Sequence, residues 1–559
     1  MSSTSQLTGF IGWLLLVSIP CAFLASWAML AAYRRAVTKR MHTGAPDTTH
    51  ESGMRGVATV PRRSTPLDVP RILRTLERTR WHTAGIYALA GLVAAGLMTW
   101  TGFIAGHTTF LPLRTTLTTF VYAWPAVMTT VLVAALSTRE RLQILLAYFG
   151  ILAVCSLGLP LLSPTSGRTD LVVLWATSQL APTLLVLATL HDRVRAIAPL
   201  LLMFLVVCLT GSNLALAWLA GHIELAARVA SRIGVGAVTA FWLIAAIGFV
   251  SLAAPSAGLL VALRAAYRRK LLSEQTIAMD TLWLLFCVSH ATYVTFDGGP
   301  LWFALALVIP FVGYRVVAAT ALRSVARRRL ARSGPAPKLL LLRVFSLGRK
   351  SVQLWELLAR TFSYAGSVRM IAGPDLATTS IEPHEFLDFV TGKLDLRFIA
   401  GSRALERAMR EVDDAPDADG RYRVNDFFCR DDVWREAFER LLSDSDVVVM
   451  DVRGFQDPRG GCAYELGQLA IRADLTRAVL LIDETTHREN LVQALSSAAP
   501  DSTRRVSPQL VPFHGNDARS AQAVIAALRQ ALNAASTVSP ASDMPSSVEV
   551  APTHTAVGG

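Results

Sequence analysis

Apolar stretches long enough to cross a lipid bilayer recur through roughly the first 320 residues of this 559-residue chain. A helical span needs about 20 mostly apolar residues, because the hydrocarbon core of a bilayer is about 30 Å thick. The following stretches meet this criterion: 8–32, 82–105, 117–136, 143–162, 171–190, 196–220, 234–263, 279–296 and 300–321. The eighth, 279–296, is the weakest because it is short and contains Ser289 and His290. The sequence predicts a membrane α-helical bundle of about nine transmembrane helices.

Composition and its distribution divide the chain into two parts. The chain is 52% hydrophobic and only 17% charged, which is too apolar for an ordinary soluble protein. The apolar residues become sparse after the last predicted span. We therefore expect a transmembrane domain over 1–335 with an inner loop at 33–81, a cytosolic domain over 336–534, and a disordered tail over 535–559.

Arginine-rich loops predict the orientation of the bundle. The loops YRRAVTKR, STRER, HDRVR, AYRRK and RSVARRRLAR would all lie on one side if the N-terminus is outside. The positive-inside rule makes that side the cytoplasm. The first ten residues, MSSTSQLTGF, carry no positive charge and do not resemble a cleavable signal. We expect a multi-pass protein of a bacterial inner membrane with its C-terminal domain in the cytosol.

The formal charge of +13 is explained by these juxtamembrane arginines, which point to the lipid bilayer as partner. No nucleic-acid-reading motif accompanies the charge, so no nucleic-acid partner is expected. The cysteines show no CxxC or Cys/His spacing, so neither a metal site nor a disulfide framework is predicted.

Ionisable side chains are scarce inside the predicted spans. Asp170 and Asp280 fall at span ends, and Arg315 lies near the inner end of the last span. Transporters usually keep buried charges as relays, so this scarcity counts against a transporter with a nucleotide-binding regulatory domain. The segment 67–81 combines an apolar helical face with arginines and is expected to lie on the inner membrane surface.

Beyond residue 336 the pattern alternates between short β-rich runs and helical periodicity. The predicted strands are 338–345, 368–373, 446–451, 477–484 and a run around 509–513. The predicted helices are 383–394, 402–412, 431–445, 463–473, 486–498 and 518–534. Such alternation predicts an α/β domain with a parallel sheet and helices on both faces. The stretch NDFFCRDD at 425–432 is expected to add a strand or a further pocket wall.

Polar residues collect where three predicted strands end. The first strand runs into Phe345-Ser346 and Arg349-Lys350, the second into Asp375, and the central strand into Asp451-Val452-Arg453-Gly454. Ligands of open parallel sheets bind beyond the carboxyl ends of the strands. Glu465 follows the central strand after a glycine-bearing loop, so these residues are expected around one crevice.

The stretch SDVVVMDVRGF followed by GGCAYEL resembles the corresponding part of TIR domains. Cys462-Ala463-Tyr464-Glu465-Leu466 matches the Cys-x-x-Glu-Leu of those domains at the start of the helix after this strand. The stretch is also similar to nucleoside deoxyribosyltransferases, since Glu465-Leu466-Gly467 and Asp451 fit their Glu-x-Gly and strand-end aspartate. The resemblance covers about 340–530 and implies a flavodoxin/TIR-like parallel sheet.

In both families the glutamate acts at the ribose of an N-glycosidic bond. The resemblance therefore implies a domain that binds NAD or a related nucleotide, and either hydrolyses it or only binds it, in signalling or defence. Glu465 would be the catalytic residue, with no further cofactor required. The residues expected to bind the nucleotide are Phe345, Ser346, Arg349, Lys350, Asp375, Asp451, Arg453, Gly454 and Gly461. TIR enzymes generally self-associate, so the resemblance also implies self-association through this domain.

Two features of the sequence depart from the TIR pattern. Gly461 stands where many TIR domains have Trp, and the segment 374–430 is longer than the pattern accommodates. Glu465 also admits a structural explanation, because the helix macrodipole alone favours an acidic residue in the first turn. A non-enzymatic membrane scaffold, in which Glu465 has no chemical role, is therefore the alternative function.

Overall fold

A computed structural model describes most of the chain. The described residues are 24–40, 69–134, 138–162, 167, 169–189, 197–330, 336–343, 354, 358, 362–371, 383–430, 433–456, 461–472, 475–498, 508–514 and 518–537. Within them, eight helical stretches are long and apolar enough to cross a membrane. They correspond to the second to ninth predicted spans. The first predicted span, 8–32, lies mostly outside the described residues, which begin with a helix, α1, at residue 24.

The helical part of the chain runs from α1 to α13. After α1 (24–40) the helices are α2 (Val69–Ala105), α3 (Pro112–Tyr122), α4 (Trp124–Ala134), α5 (Thr138–Leu162), α6 (Asp170–Trp175), α7 (Ala181–Thr189), α8 (Ala198–Gly221), α9 (Ile223–Ile233), α10 (Ala237–Ser251), α11 (Ala253–Arg268), α12 (Glu274–Gly298) and α13 (Pro300–Leu330). A π-helical segment, Ala176–Leu180, joins α6 to α7.

Helix α12, the weakest span by sequence, is the most enclosed of the eight candidate spans. Within its most apolar window 78% of the residues are buried, against 50% or less for the others. Its polar side chains bond to neighbouring helices: His290 Nε2 lies 3.1 Å from Thr101 Oγ1, and Asn213 Nδ2 donates to Thr292 Oγ1 at 2.9 Å. A helix surrounded by protein can carry such polar groups, which explains its weak hydropathy.

Two details of the bundle differ from the sequence expectation. The segment 67–81, expected to lie on the inner membrane surface, continues from Val69 into the span as part of α2. Three predicted spans are interrupted, at Ala123, at Ala176–Leu180 and at Leu252. A proline lies within six residues after the start of each interruption, and proline supplies no backbone N–H for the helical ladder.

Two of the charges near the span ends pair with each other. Arg315 Nη1 of α13 lies 3.2 Å from Asp280 Oδ2 of α12. In a poorly polarisable interior an isolated charge is costly, and pairing offsets part of that cost. The ion pair thus links two helices, and the charges of Asp280 and Arg315 offset each other.

Helices α8 and α10 cross with their backbones in contact. A Cβ atom added at Gly211 would lie 2.1 Å from the carbonyl oxygen of Gly248, and one added at Gly248 would lie 2.4 Å from that of Gly211. Small residues at such crossings allow the dispersion contacts that hold membrane helices together. The crossing therefore depends on glycine at both positions.

The C-terminal part contains a seven-stranded parallel sheet. Its strands are β1 (Lys338–Arg343), β2 (Ser367–Ile371), β3 (Phe398–Ile399), β4 (Val424–Cys429), β5 (Val447–Asp451), β6 (Ala478–Ile482) and β7 (Gln509–Pro512). The helices are α14 (Pro383–Val390), α15 (Ser402–Arg410), α16 (Trp434–Ser443), α17 (Gly461–Arg472), α18 (Arg488–Ala498) and α19 (Ala518–Thr537). The predicted α/β domain with a parallel sheet is confirmed.

The strand order is β3-β4-β2-β1-β5-β6-β7. Without β3 and β4, the remaining order is that of flavodoxin-like sheets. The stretch at 425–432 does add a strand, β4, which continues the sheet beyond β2 and pairs with the short β3. Apolar side chains alternate between the two faces: Leu340 and Leu342 pack under α16 to α18, whereas Leu339 and Leu341 pack under α19.

The bundle and the sheet domain share one apolar cluster and a set of ion pairs. Tyr33 of α1 and Tyr267 of α11 are buried in the same cluster as Phe386 of α14 and Phe428 of β4. Arg264 of α11 forms an ion pair with Asp388 of α14, which is also 3.0 Å from Arg397 Nε. The additional strands β3 and β4 therefore belong to the part of the domain that contacts the bundle.

We expect Gly211→Ala to destabilise the bundle by about 1–3 kcal/mol or more, because the new methyl group overlaps backbone that cannot move independently. The matched control is Gly258→Ala in α11, where an added Cβ meets nothing within 4 Å. Detergent-denaturation midpoints followed by circular dichroism measure both. Equal midpoints for the two variants would contradict the close crossing.

We expect Asp388→Ala to loosen the sheet domain from the bundle. The change leaves Arg264 and Arg397 without the carboxylate that they share, at a cost of about 3 kcal/mol, the lower end for a buried pair because Arg397 is partly exposed. Hydrogen exchange of the full-length protein should show lost protection in α14 and β3. Asp395→Ala, which removes an exposed pair with Arg40, should leave that protection unchanged.

Candidate functional site

The chain changes direction within the sheet between β1 and β5. After β1 it proceeds to β2 on one side, and it later returns to β5 on the other side of β1. Asp451, the last residue of β5, lies opposite Arg343 at the carboxyl end of β1. Loops that leave two adjacent strands in opposite directions open a crevice at such a point. The topology therefore brings the loops after β1 and β5 to one edge.

Glu465 lies on α17, the helix that follows β5. Helix α17 begins at Gly461, so Glu465 is its fifth residue, and no acidic residue occupies the first turn. The macrodipole acts mainly on the first turn and is therefore a weaker explanation of this glutamate than the sequence indicated. The residue is only 4% exposed, so it does not face open solvent. Burial of a carboxylate is costly, which marks Glu465 as a residue with a specific structural or chemical role.

The thiol of Cys462 is close to both candidate carboxylates. Burial raises its pKa well above the usual range, and the negative charges of Glu465 and Asp451 raise it further. Both carboxylates are thus within electrostatic range of one side chain at the start of α17. The high pKa keeps Cys462 as a neutral thiol, so it is not a nucleophile at neutral pH.

Asp451 and Arg453 form a closed ion pair. Arg453 Nε donates to Asp451 Oδ1 and Nη2 donates to Oδ2, each at 2.7 Å. The side chains are 0% and 1% exposed, and the guanidinium carbon of Arg453 lies 4.7 Å from the centroid of the Phe513 ring. Both oxygens of the Asp451 carboxylate therefore accept hydrogen bonds from Arg453, in a bidentate pair beneath an aromatic ring. In this geometry the pair shapes the edge of the sheet and does not present its charges outward.

Gly454 forms the turn that leaves β5. The Phe455 N–H donates to the Val452 carbonyl at 3.1 Å, and Gly454 has φ +71°, which favours glycine. The segment after β6 holds this turn, since Thr486 Oγ1 donates to the Val452 carbonyl at 3.2 Å and the His487 N–H donates to that of Phe455 at 3.0 Å. Hydrogen bonds from the turn itself and from the segment after β6 therefore fix the first part of the loop after β5.

Gly461 lies against an aromatic ring, that of Trp434 at the start of α16. A Cβ atom added there would touch the Trp434 ring at 3.5 Å. The Trp434 ring meets that of Tyr464 edge-on with centroids 5.7 Å apart, and the Tyr464 hydroxyl donates to Glu439 Oε1 at 2.5 Å. The indole that lies against Gly461 thus comes from a different helix.

The other predicted nucleotide-binding residues lie outside the described residues. They are Phe345, Ser346, Arg349, Lys350 and Asp375. Their assignments remain predictions. Within the described residues, no group of three or more His, Cys, Asp or Glu side chains is placed to hold a metal ion.

Sequence reasoning did not identify Trp434, Phe513 and Thr486 as parts of this region. Phe513 and Thr486 lie far along the chain from the residues after β5 that they contact. Trp434 starts the helix before β5, but its contact is with Gly461 on the helix after β5. The one signal available for Trp434 was its place at the start of the DDVWREAF helix, next to a polar loop. The closure of Arg453 onto Asp451, two residues away, carried no sequence signal.

We expect Arg453→Met to destabilise the α/β domain by about 3–5 kcal/mol, because Asp451 would keep a buried charge without its partner. The double variant Asp451→Leu/Arg453→Met should recover most of that loss, since an apolar pair of similar volume has no charge to bury. Urea-dependent proteolysis of the full-length protein measures the three free energies. A single variant as stable as the parent would contradict the closed pair.

Comparisons with known proteins return no significant match to a protein-family model, a curated protein or a solved structure.

Proposed function

We propose that the α/β domain binds NAD or a related nucleotide at the carboxyl edge of β1 and β5, and hydrolyses its N-glycosidic bond with Glu465. The observation that carries the proposal is the buried Glu465 on α17, directly beyond the point where the chain changes direction in the sheet. The Cys-x-x-Glu-Leu resemblance to TIR domains agrees with this position. Sheets of this strand order bind their ligands at that point.

The proposed chemistry needs one carboxylate near a ribose. As the bond between ribose C1′ and the nicotinamide nitrogen breaks, its electron pair leaves with nicotinamide and positive charge develops on the sugar ring. A carboxylate in a partly desolvated site stabilises that charge more strongly than it would in water. Water then attacks C1′ and releases a proton to solvent. Glu465 is the described residue that best fits this role.

Asp451 and Arg453 take supporting roles in this proposal. Their bidentate pair and the turn at Gly454 hold the loop after β5 in one conformation. A rigid loop positions the sugar with little loss of entropy on binding. Phe345, Ser346, Arg349, Lys350 and Asp375 remain the proposed contacts for the base and phosphates.

The membrane bundle gives the proposed enzyme its place. We propose that the protein resides in a bacterial inner membrane with the N-terminus outside and the α/β domain in the cytosol, where NAD is present. The apolar helices and the arginine-rich loops support this orientation. We further propose self-association of the α/β domains, which the resemblance to TIR enzymes favours, in signalling or defence.

A non-enzymatic signalling scaffold is the second candidate function. The observation in its favour is the ion pair between Asp451 and Arg453, because two side chains that were expected to contact the ligand contact each other instead. A scaffold needs the fold and the membrane anchor but no turnover. A transporter is less well supported, because among the described spans Asp280 and Arg315 already neutralise each other.

The full-length protein in liposomes, incubated with NAD, tests the proposal through nicotinamide release. We expect Glu465→Gln to lower the rate by about 100-fold or more, because the neutral amide cannot stabilise the charged sugar. Glu489→Gln on α18, an exposed carboxylate in the same domain, is the matched control and should release nicotinamide at the parent rate.

Two results would overturn the enzymatic proposal. Equal rates for Glu465→Gln and the parent would remove the residue from the chemistry. Absence of release even after the protein is crowded on the liposomes would favour the scaffold. NAD that raises the unfolding temperature of the parent but not of Glu465→Gln, without release, would instead show binding without turnover.

A further inference from the structure

A crevice of about 480 Å³ separates the end of the membrane helix α11 from the sheet domain. Arg264 and Arg268 of α11 line one wall. Helix α14, helix α15 and the start of β4 line the other. The crevice thus lies at the end of a candidate membrane span, away from the edge of β1 and β5 where we place the nucleotide.

Several charged groups at this crevice are already committed to the junction. Asp388 is shared by Arg264 and Arg397, and Asp413 is paired with Lys270. Arg423 Nη2 lies 2.8 Å from Asp417 and donates to the Tyr267 carbonyl at 2.6 Å. These contacts fix the geometry of the walls, because each charge is balanced within the protein.

Two arginines on opposite walls are different. Arg268 of α11 and Arg407 of α15 both line the crevice and are exposed, and their guanidinium groups have no ion pair or hydrogen bond with any described residue. Their guanidinium groups remain available to a ligand. A guanidinium group offers paired N–H donors that match two oxygens of a phosphate.

We propose that the crevice binds a phosphate ester with a single phosphate group that bridges Arg268 and Arg407. The preference for a single phosphate group follows from the lining as a whole. Five arginines line the crevice, Arg264, Arg268, Arg397, Arg407 and Arg423, and so do five carboxylates, Glu385, Asp388, Glu411, Asp413 and Asp426. This balance disfavours a polyphosphate, which would meet the carboxylates, but leaves two guanidinium groups available for one phosphodiester or monoester.

The phosphate can come from two sources. Arg268 is in the last turn of α11, where the headgroups of the inner leaflet would lie, so an anionic phospholipid can reach it without leaving the bilayer. A soluble phosphate monoester can enter from the cytosolic side. In both cases the ligand would connect a membrane helix to α15 and so tie the sheet domain more firmly to the bundle.

Native mass spectrometry of the full-length protein with phosphatidylglycerol in detergent micelles tests the lipid source, and titration with glycerol 3-phosphate tests the soluble source. Phosphatidylcholine is the reference lipid. We expect Arg268→Ala and Arg407→Ala each to weaken binding of the effective probe by about tenfold, the usual worth of a charge-assisted hydrogen bond. Both residues are exposed, so neither change should unfold the protein. Arg410→Ala, on the same helix but outside the crevice, should bind as the parent does.

Retention of phosphatidylglycerol that depends on Arg268 and Arg407 supports the lipid source, and glycerol 3-phosphate binding with the same dependence supports the soluble one. The proposal is overturned if neither probe binds, if both variants bind as the parent does, or if Arg410→Ala loses as much as they do. None of these results depends on Glu465 or on NAD.

Discussion

The junction between the bundle and the sheet domain is the contact on which the arrangement of this protein depends. Apolar residues of α1 and α11 are buried together with residues of α14, β3 and β4. Around this cluster Asp388, Asp413 and Asp417 pair with basic residues close to or across the junction. Apolar burial supplies attraction without direction, and the ion pairs supply direction because a charge left without its partner is costly. The two parts of the chain are therefore held in one orientation.

The two additional strands explain how a flavodoxin-like sheet can be held this way. Strands β3 and β4 extend the sheet beyond β2, on the side away from β5. They carry Phe398 and Phe428 into the shared apolar cluster. Asp451 and α17 take no part in this shared cluster, although α19, which packs on the same half of the sheet, contacts α2. One domain can thus hold both a contact with the bundle and a candidate ligand edge.

Burial distinguishes the candidate site residues from one another. Asp451 and Arg453 satisfy each other in a bidentate pair, so their burial is explained by the fold. Glu465 is buried on a helix that follows the sheet edge, past its first turn, where the macrodipole contributes little. The proposed N-glycosidic reaction rests on this burial, and the mutual pairing of its neighbours suits a rigid edge around it.

The apolar helices of possible membrane type, the alternation of strands and helices, and the place of the glutamate after the central strand could all be predicted from the sequence. These features follow from local patterns: runs of about 20 apolar residues are long enough to cross a bilayer as helices, and the short, valine-rich run DVVVMD favours a buried strand. Other features became evident only in the folded chain. Only folding showed that the weak span at 279–296 is enclosed, that Arg453 turns back onto Asp451, and that Trp434 lies beside Gly461. It also brought Arg268 and Arg407, 139 positions apart, to one crevice. Such contacts depend on which surfaces meet, and residue spacing along the chain does not encode that directly.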